Sequence, residues 1–146
     1  MEELLEVQRQ FRNQQEKLTY YLIALSVTSI GFAVYQTSDA PLSDHQVPLG
    51  LAVLCWGLSI FCGIRFLGVL LTQLFANNTY LEVVNGQHPE IGNHPGKIDA
   101  AVKGLNSALT INRSKAKRLS KFQDNFFYAG VILFLIWHVL EMYLRT

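Results

Sequence analysis

The apolar positions of this chain follow two patterns that alternate along its length. Three stretches are almost continuously apolar: residues 18–36, 49–75 and 126–145. Each is close to or above the ~20 residues that cross a bilayer as a helix. Outside them the apolar positions recur in steps of three and four. Leu4, Val7, Phe11 and Leu18 do so before the first stretch, with Gln14 at the missing step. Ile98, Val102, Leu105, Leu109, Asn112, Ala116 and Leu119 do so before the third. Steps of this kind put one residue per turn on a single seam, the mark of a helix packed lengthwise against another.

These patterns predict an all-α membrane protein with three transmembrane helices and helical extensions. No Gly or Pro interrupts residues 2–30, so one helix is expected from Glu2 through Gln36. Residues 1–17 form its extension, ~25 Å long at 1.5 Å per residue, and residues 18–36 the first span. Residues 37–48 are a short loop, with turn signals at Asp39-Ala40-Pro41 and Pro48, so the first two spans should be antiparallel neighbours. The second span, 49–75, exceeds what a bilayer requires and should tilt or protrude. Residues 76–96 continue it and then turn. Asn85-Gly86 is the expected helix end, with Gly86 as a left-handed cap. A six-residue repeat follows: Gly86-Gln87-His88-Pro89, then Gly92-Asn93-His94-Pro95. Residues 97–125 carry the second seam into the third span, so one helix of about 70 Å is expected from Ile98 to near Arg145. The extensions at 1–17 and 97–125 are expected to pack on each other or on other copies.

Charge adds an orientation. Arg9, Arg12 and Lys17 precede the first span; Lys97, Lys103, Arg113, Lys115, Lys117, Arg118 and Lys121 lie between the second and third. Loop 37–48 has no Lys or Arg, only Asp39, Asp44 and His45. Positive residues stay in the cytoplasm, which predicts the N-terminus inside and the C-terminus outside. The acidic opening Glu2-Glu3 and the lack of a small-residue cleavage site read as an uncleaved anchor rather than a signal peptide. Length and economy suggest a bacterial inner (cell) membrane. At 146 residues the chain is expected to be one domain. Cys55 and Cys62 are seven residues apart on the second span, ~10 Å along a helix and too far for a disulfide. Asn77-Asn78-Thr79 and Asn112-Arg113-Ser114 match the glycosylation pattern, but on the predicted cytoplasmic side they read as chance.

Candidate chemistry is sparse. Arg113, Lys115, Lys117, Arg118 and Lys121 form a basic cluster fit for an anion: a nucleotide, an oligonucleotide, anionic lipids or an acidic partner. The plainer reading is charge that sets topology and meets lipid headgroups. Arg65 follows the apolar run from Leu49 to Ile64, where a charge is costly. It should pair with Asp124, snorkel, or line a pore. His138 and Glu141 share a helix face. They form either a polar ring at a pore mouth or interfacial residues beside the aromatic pair Trp137 and Tyr143. Cys55, Ser59 and Gly63 make a small-residue stripe for close helix packing, with Thr28 and Gly31 as a weaker pair on the first span. His88 and His94 read as turn residues rather than metal ligands. No catalytic set, phosphate-binding loop, cofactor motif or metal cluster is present in the sequence, so an enzyme is not expected.

The layout of the whole chain, with an N-terminal helix entering the first span and the basic stretch 113–121 entering the third, resembles the small multi-span effectors of bacterial anti-phage defence. These include the membrane subunit of the Hailong system. The resemblance implies a membrane channel controlled by a nucleotide or nucleic-acid signal. It rests on layout, so no residue role is carried over from it. Together with the seams it leads to the expectation of a homo-oligomeric, ligand-regulated ion channel or pore-forming effector, with four subunits as a guess from small channels generally. In that reading Arg65, His138 and Glu141 line or gate the pore. The alternative is a non-conducting anchor or adaptor that displays its cytoplasmic helices to a soluble partner protein.

Overall fold

The computed structural model describes residues 2–38 and 44–144. Helix α1 (Glu2–Thr37) is followed by one 3-10 turn (Asp44–Gln46), α2 (Val47–Val84) and α3 (Pro95–Leu144). No strand occurs among the described residues. All three helices are long and apolar enough to cross a membrane. The expected single helix at the N-terminus is present, one residue longer than predicted. α3 runs unbroken through the second seam and the third apolar stretch. The turn signal Asp39-Ala40-Pro41, Arg145 and the side chain of Leu4 lie outside the described residues.

The chain forms two compact units: Met1–Ile64 with Ser120–Thr146, and Arg65–Leu119. The physical reason is length. At 1.5 Å per residue, α2 and α3 span roughly 57 and 75 Å, more than one bundle can cover. α2 therefore contributes its first half to one unit and its second half to the other, and α3 does the reverse.

The first unit is a three-helix bundle. Its buried residues fall at steps of three and four or their sums. On α1 they are Thr19, Leu22, Ser26 and Ala33; on α2, Leu49, Ala52, Trp56, Ser59 and, three and four residues on, Cys62 and Gly63; on α3, Gln123, Gly130 and Trp137. Ala33 clusters with Leu49, Ala52, Trp56 and Trp137, while a Cβ on Gly63 would touch Ile23. The early part of α1 thus meets the later part of α2, so the two are antiparallel, as the short loop predicts. Phe32 lies against Phe134, with ring centroids 6.2 Å apart, and Thr19 meets Gln123, so α1 and α3 run parallel.

Packing here works by small residues admitting large ones. A Cβ on Gly130 would come within 2.6 Å of the Trp56 Nε1, and one on Gly63 within 2.6 Å of the Gln123 Nε2. Where lipid tails are as apolar as the helices, such close approach is the main source of cohesion. The stripe at Cys55, Ser59 and Gly63 is used in part: Ser59 and Gly63 are buried and Cys55 is half-buried. The weaker pair on α1 is not used within the chain. Thr28 is exposed and donates its hydroxyl to the Ala24 carbonyl (2.9 Å), and nothing lies within 4 Å of a Cβ on Gly31. Ser26 and Ala33 take that role instead. Trp137 also departs from expectation. It is buried in the core rather than placed in an interfacial belt, whereas Tyr143 is exposed.

The second unit is a helical hairpin. The α3 seam is covered throughout: Ala116 is buried and Ile98, Val102, Leu105, Leu109, Asn112 and Leu119 are half-buried. α2 supplies a matching seam. Phe66 and Val83 are buried, and Val69, Gln73, Ala76 and Tyr80 between them are half-buried, again in steps of three and four. The seam of residues 97–125 thus finds a partner in the second half of α2, a match the sequence reading did not foresee.

The loop joining the two arms explains the six-residue repeat. α2 ends in a Schellman motif. Gly86 has φ 68°, its N–H donates to the Val83 carbonyl (3.1 Å), and the Gln87 N–H donates to the Glu82 carbonyl (2.9 Å). His88 then opens one further turn. Its carbonyl accepts from Ile91 and Gly92, and its Nδ1 accepts from the Glu90 N–H at 3.4 Å. Gly92, at φ 54°, closes that turn. His94 opens α3, its carbonyl accepting from Lys97 and Ile98. Pro95 takes the first helical position, where a missing N–H costs nothing. Each unit of the repeat is therefore a stop at Gly, a cap at His and a start at Pro. Gly86→Ala should destabilise the hairpin by about 1–2 kcal/mol, the cost of a Cβ in the left-handed region, and the new Cβ would meet the Asn93 side-chain amide. Chemical denaturation in detergent should show this loss, and Gly92→Ala, which meets nothing within 4 Å, should lose less.

Candidate functional site

The basic cluster occupies one exposed arc of α3. Arg113, Lys115, Lys117, Arg118 and Lys121 are all exposed. Arg113, Lys117 and Lys121 are four residues apart and form a row along the helix, and Arg118 and Lys115 continue it around the surface. The seam residues Asn112, Ala116 and Leu119 point the other way. Packing of the seam therefore fixes which way the cations face. From Gly104 to Gln123 the chain contains no Asp or Glu. Among the described residues none of the five makes an ion pair or side-chain hydrogen bond. Lys103, by contrast, donates to Asp99 at 2.8 Å one turn earlier. Lys97 is exposed. The arc is a row of unneutralised donors on one continuous helix, which suits phosphate or carboxylate groups.

Arg65 is exposed and is the first residue of the second unit. Among the described residues it makes no ion pair, so the expected bridge to Asp124 is not formed. Asp124 is half-buried, and desolvation pushes its carboxyl above the usual carboxylate range.

His138 and Glu141 come together, as their spacing predicts. Both line a cleft of about 200 Å³ at the far end of the bundle, with Gln36, Thr37, Gln46, Trp137 and Met142. The His138 ring stacks on Phe134, centroids 6.4 Å apart and planes 9° apart. Glu141 is half-buried. Among the described residues no group of three or more His, Cys, Asp and Glu side chains could hold a metal ion. His88 and His94 serve the loop as caps.

The polar centre that sequence reasoning missed is Gln123. It is buried, its Nε2 donates to the Thr19 carbonyl (3.3 Å), and its main-chain carbonyl accepts from the Ser59 hydroxyl (2.9 Å). The Thr19 hydroxyl donates in turn to the Gln15 carbonyl (3.0 Å). One residue of α3 thereby ties all three helices of the first unit. The signal was available, because the α3 seam continues from Leu119 by one more step of four to Gln123. No protein-family model, curated protein sequence or solved structure matches this chain.

Proposed function

We propose that this chain is a multi-pass inner-membrane anchor that holds a helical hairpin in the cytoplasm and offers its basic arc to an anionic ligand or partner. The observation that carries the reading is the direction of the polar groups in the bundle. Thr19, Ser59 and Gln123 point inward and bond to one another or to backbone, and Trp56 and Trp137 fill the remaining core. These three polar groups are consumed inside one subunit and are not left to line a water path. The first-unit part of α2, residues 47–64, is ~27 Å long, close to the ~30 Å hydrocarbon thickness. Arg65 then stands at the membrane edge, where its guanidinium reaches water without a partner. The side bearing Arg9, Arg12, Lys17 and the hairpin faces the cytoplasm, as the distribution of Lys and Arg requires.

A second reading has its own observation. Arg65 is exposed, bears no partner, and is flanked on α2 by exposed Phe61, Ile64 and Leu71. If several copies assemble with that face inward, Arg65 becomes a cationic ring of the kind that selects anions. This is the ligand-regulated channel, in keeping with the resemblance to defence effectors. Planar-bilayer recording of the purified protein, with and without nucleotides or oligonucleotides, separates the two. The anchor reading expects silence under every condition. Reproducible unitary currents that Arg65→Gln alters in selectivity would replace it with the channel.

A further inference from the structure

We infer that α1 is the site of self-association, and that two or more copies pair in parallel through a heptad face that runs its whole length. The bundle uses one side of α1: Thr19, Leu22, Ser26 and Ala33 are buried in it. A different side is left exposed, touching the bundle at Phe32, whose ring lies against Phe134. Val7, Phe11, Gln14, Leu18, Tyr21, Leu25, Thr28, Phe32 and Tyr35 are all exposed and alternate by four and three without a slip. That unbroken register continues through residues 7–17, which are too polar to lie in lipid. Their neighbours include Glu6, Arg9, Arg12, Glu16 and Lys17. Lipid covers such a face within the span, whereas Val7 and Phe11, each more than 60% exposed, lie beyond it and are covered only if another protein surface packs there.

The residues flanking the face indicate that the partner is a second copy of this chain. In a heptad pair the flanking positions choose the partner by charge. Here they are Glu3, Gln8, Gln10, Gln15 and Lys17. Side-chain amides both donate and accept, so Gln10 and Gln15 match each other across a parallel pair, while Glu3 falls opposite Gln8 and Lys17 opposite Leu22. Copies inserted in one orientation bring their α1 helices together in parallel, and no like charges then oppose each other across these positions. Gln14 meets Gln14 inside the face. A single buried polar layer fixes register at some cost in stability. The inference does not depend on whether the protein conducts or binds an anion.

A cysteine scan of the full-length protein in liposomes, in a Cys55→Ala/Cys62→Ala background, tests it. Disulfides need Cα atoms within ~7 Å, and equivalent face positions meet that condition across a parallel pair. Under mild oxidation Val7→Cys, Phe11→Cys and Gln14→Cys should give covalent dimers several-fold more readily than Arg9→Cys, Asn13→Cys and Glu16→Cys, which point away. Equal yields at all six positions, or none at any, would overturn the pairing. As a second readout, Phe11→Glu should lower the oligomer mass measured in detergent while leaving the helix content unchanged. An oligomer of unchanged mass would count against α1 as the contact.

Discussion

Trp56→Ala should cost the bundle about 3 kcal/mol, near the low end of the range for removing a buried Trp side chain. The low end applies because lipid is as apolar as the core. Most of the transfer gain is absent, and the loss is that of packing contacts plus the cavity. Trp56 is 2% exposed, lies 5.9 Å from the Phe134 ring centroid, and joins α1 through Ala33 and α3 through Trp137. Its Nε1 is buried and without a hydrogen-bond partner among the described residues. The residue therefore acts through its surface and not through its N–H. Trp56→Phe should accordingly cost under about 1.5 kcal/mol, since the lost volume is partly offset by removal of an orphan donor. Gly130→Ala forces a Cβ to within 2.6 Å of that nitrogen and should cost about 1–3 kcal/mol by overpacking. The double variant Trp56→Phe/Gly130→Ala should be more stable than the sum of the two predicts, because both act on one contact. Reversible unfolding in mixed detergent measures all four. Strict additivity would mean that the Trp56–Gly130 contact is not the tight joint between α2 and α3.

The long helices and the loop between α2 and α3 were legible because their signals are local. An uninterrupted helix needs only the absence of breakers, and Gly86, His88, Gly92, His94 and Pro95 each act on their own few residues. The α3 seam was legible for a related reason: its polar neighbours expose the period. The α2 half of the hairpin was not. Around Phe66, Val69 and Gln73 the chain is apolar on every side, with Leu67, Leu70, Leu71 and Leu74 interleaved, so no period stands out and the stretch reads as membrane. The division into two units followed from that blind spot. Trp137 was misplaced because an aromatic near the end of a span looks the same in sequence whether it faces headgroups or core. For the candidate site, the sequence supplied which residues are basic, and the seam it also supplied determines that they face outward. It offered the position of Gln123, one step of four beyond Leu119 on the seam, but not its role, which depends on Thr19 and Ser59, 104 and 64 residues away along the chain.

Replacing Arg113, Lys117 and Arg118 together with Gln should weaken binding of a single-stranded oligonucleotide roughly a hundred-fold near 0.1 M salt. Each phosphate neutralised on a single strand contributes ~0.7 to the slope of log K against log salt. Losing three contacts should flatten that slope by about two and remove about two decades of affinity at 0.1 M. The arc suits this test because nothing acidic on the same stretch of α3 competes for it. Reconstitution in neutral-lipid nanodiscs removes anionic headgroups as rivals. A control on Lys103→Gln should have a smaller effect, because Asp99 already neutralises that lysine. In the proposed topology the same cations also hold the hairpin on one side of the membrane, so protease accessibility of the hairpin must be read alongside affinity. Unchanged accessibility with the expected loss assigns the arc to ligand binding. An inverted or uninserted variant would show that the charges act first on topology. Unchanged affinity in a correctly inserted variant would remove the arc as the anion site.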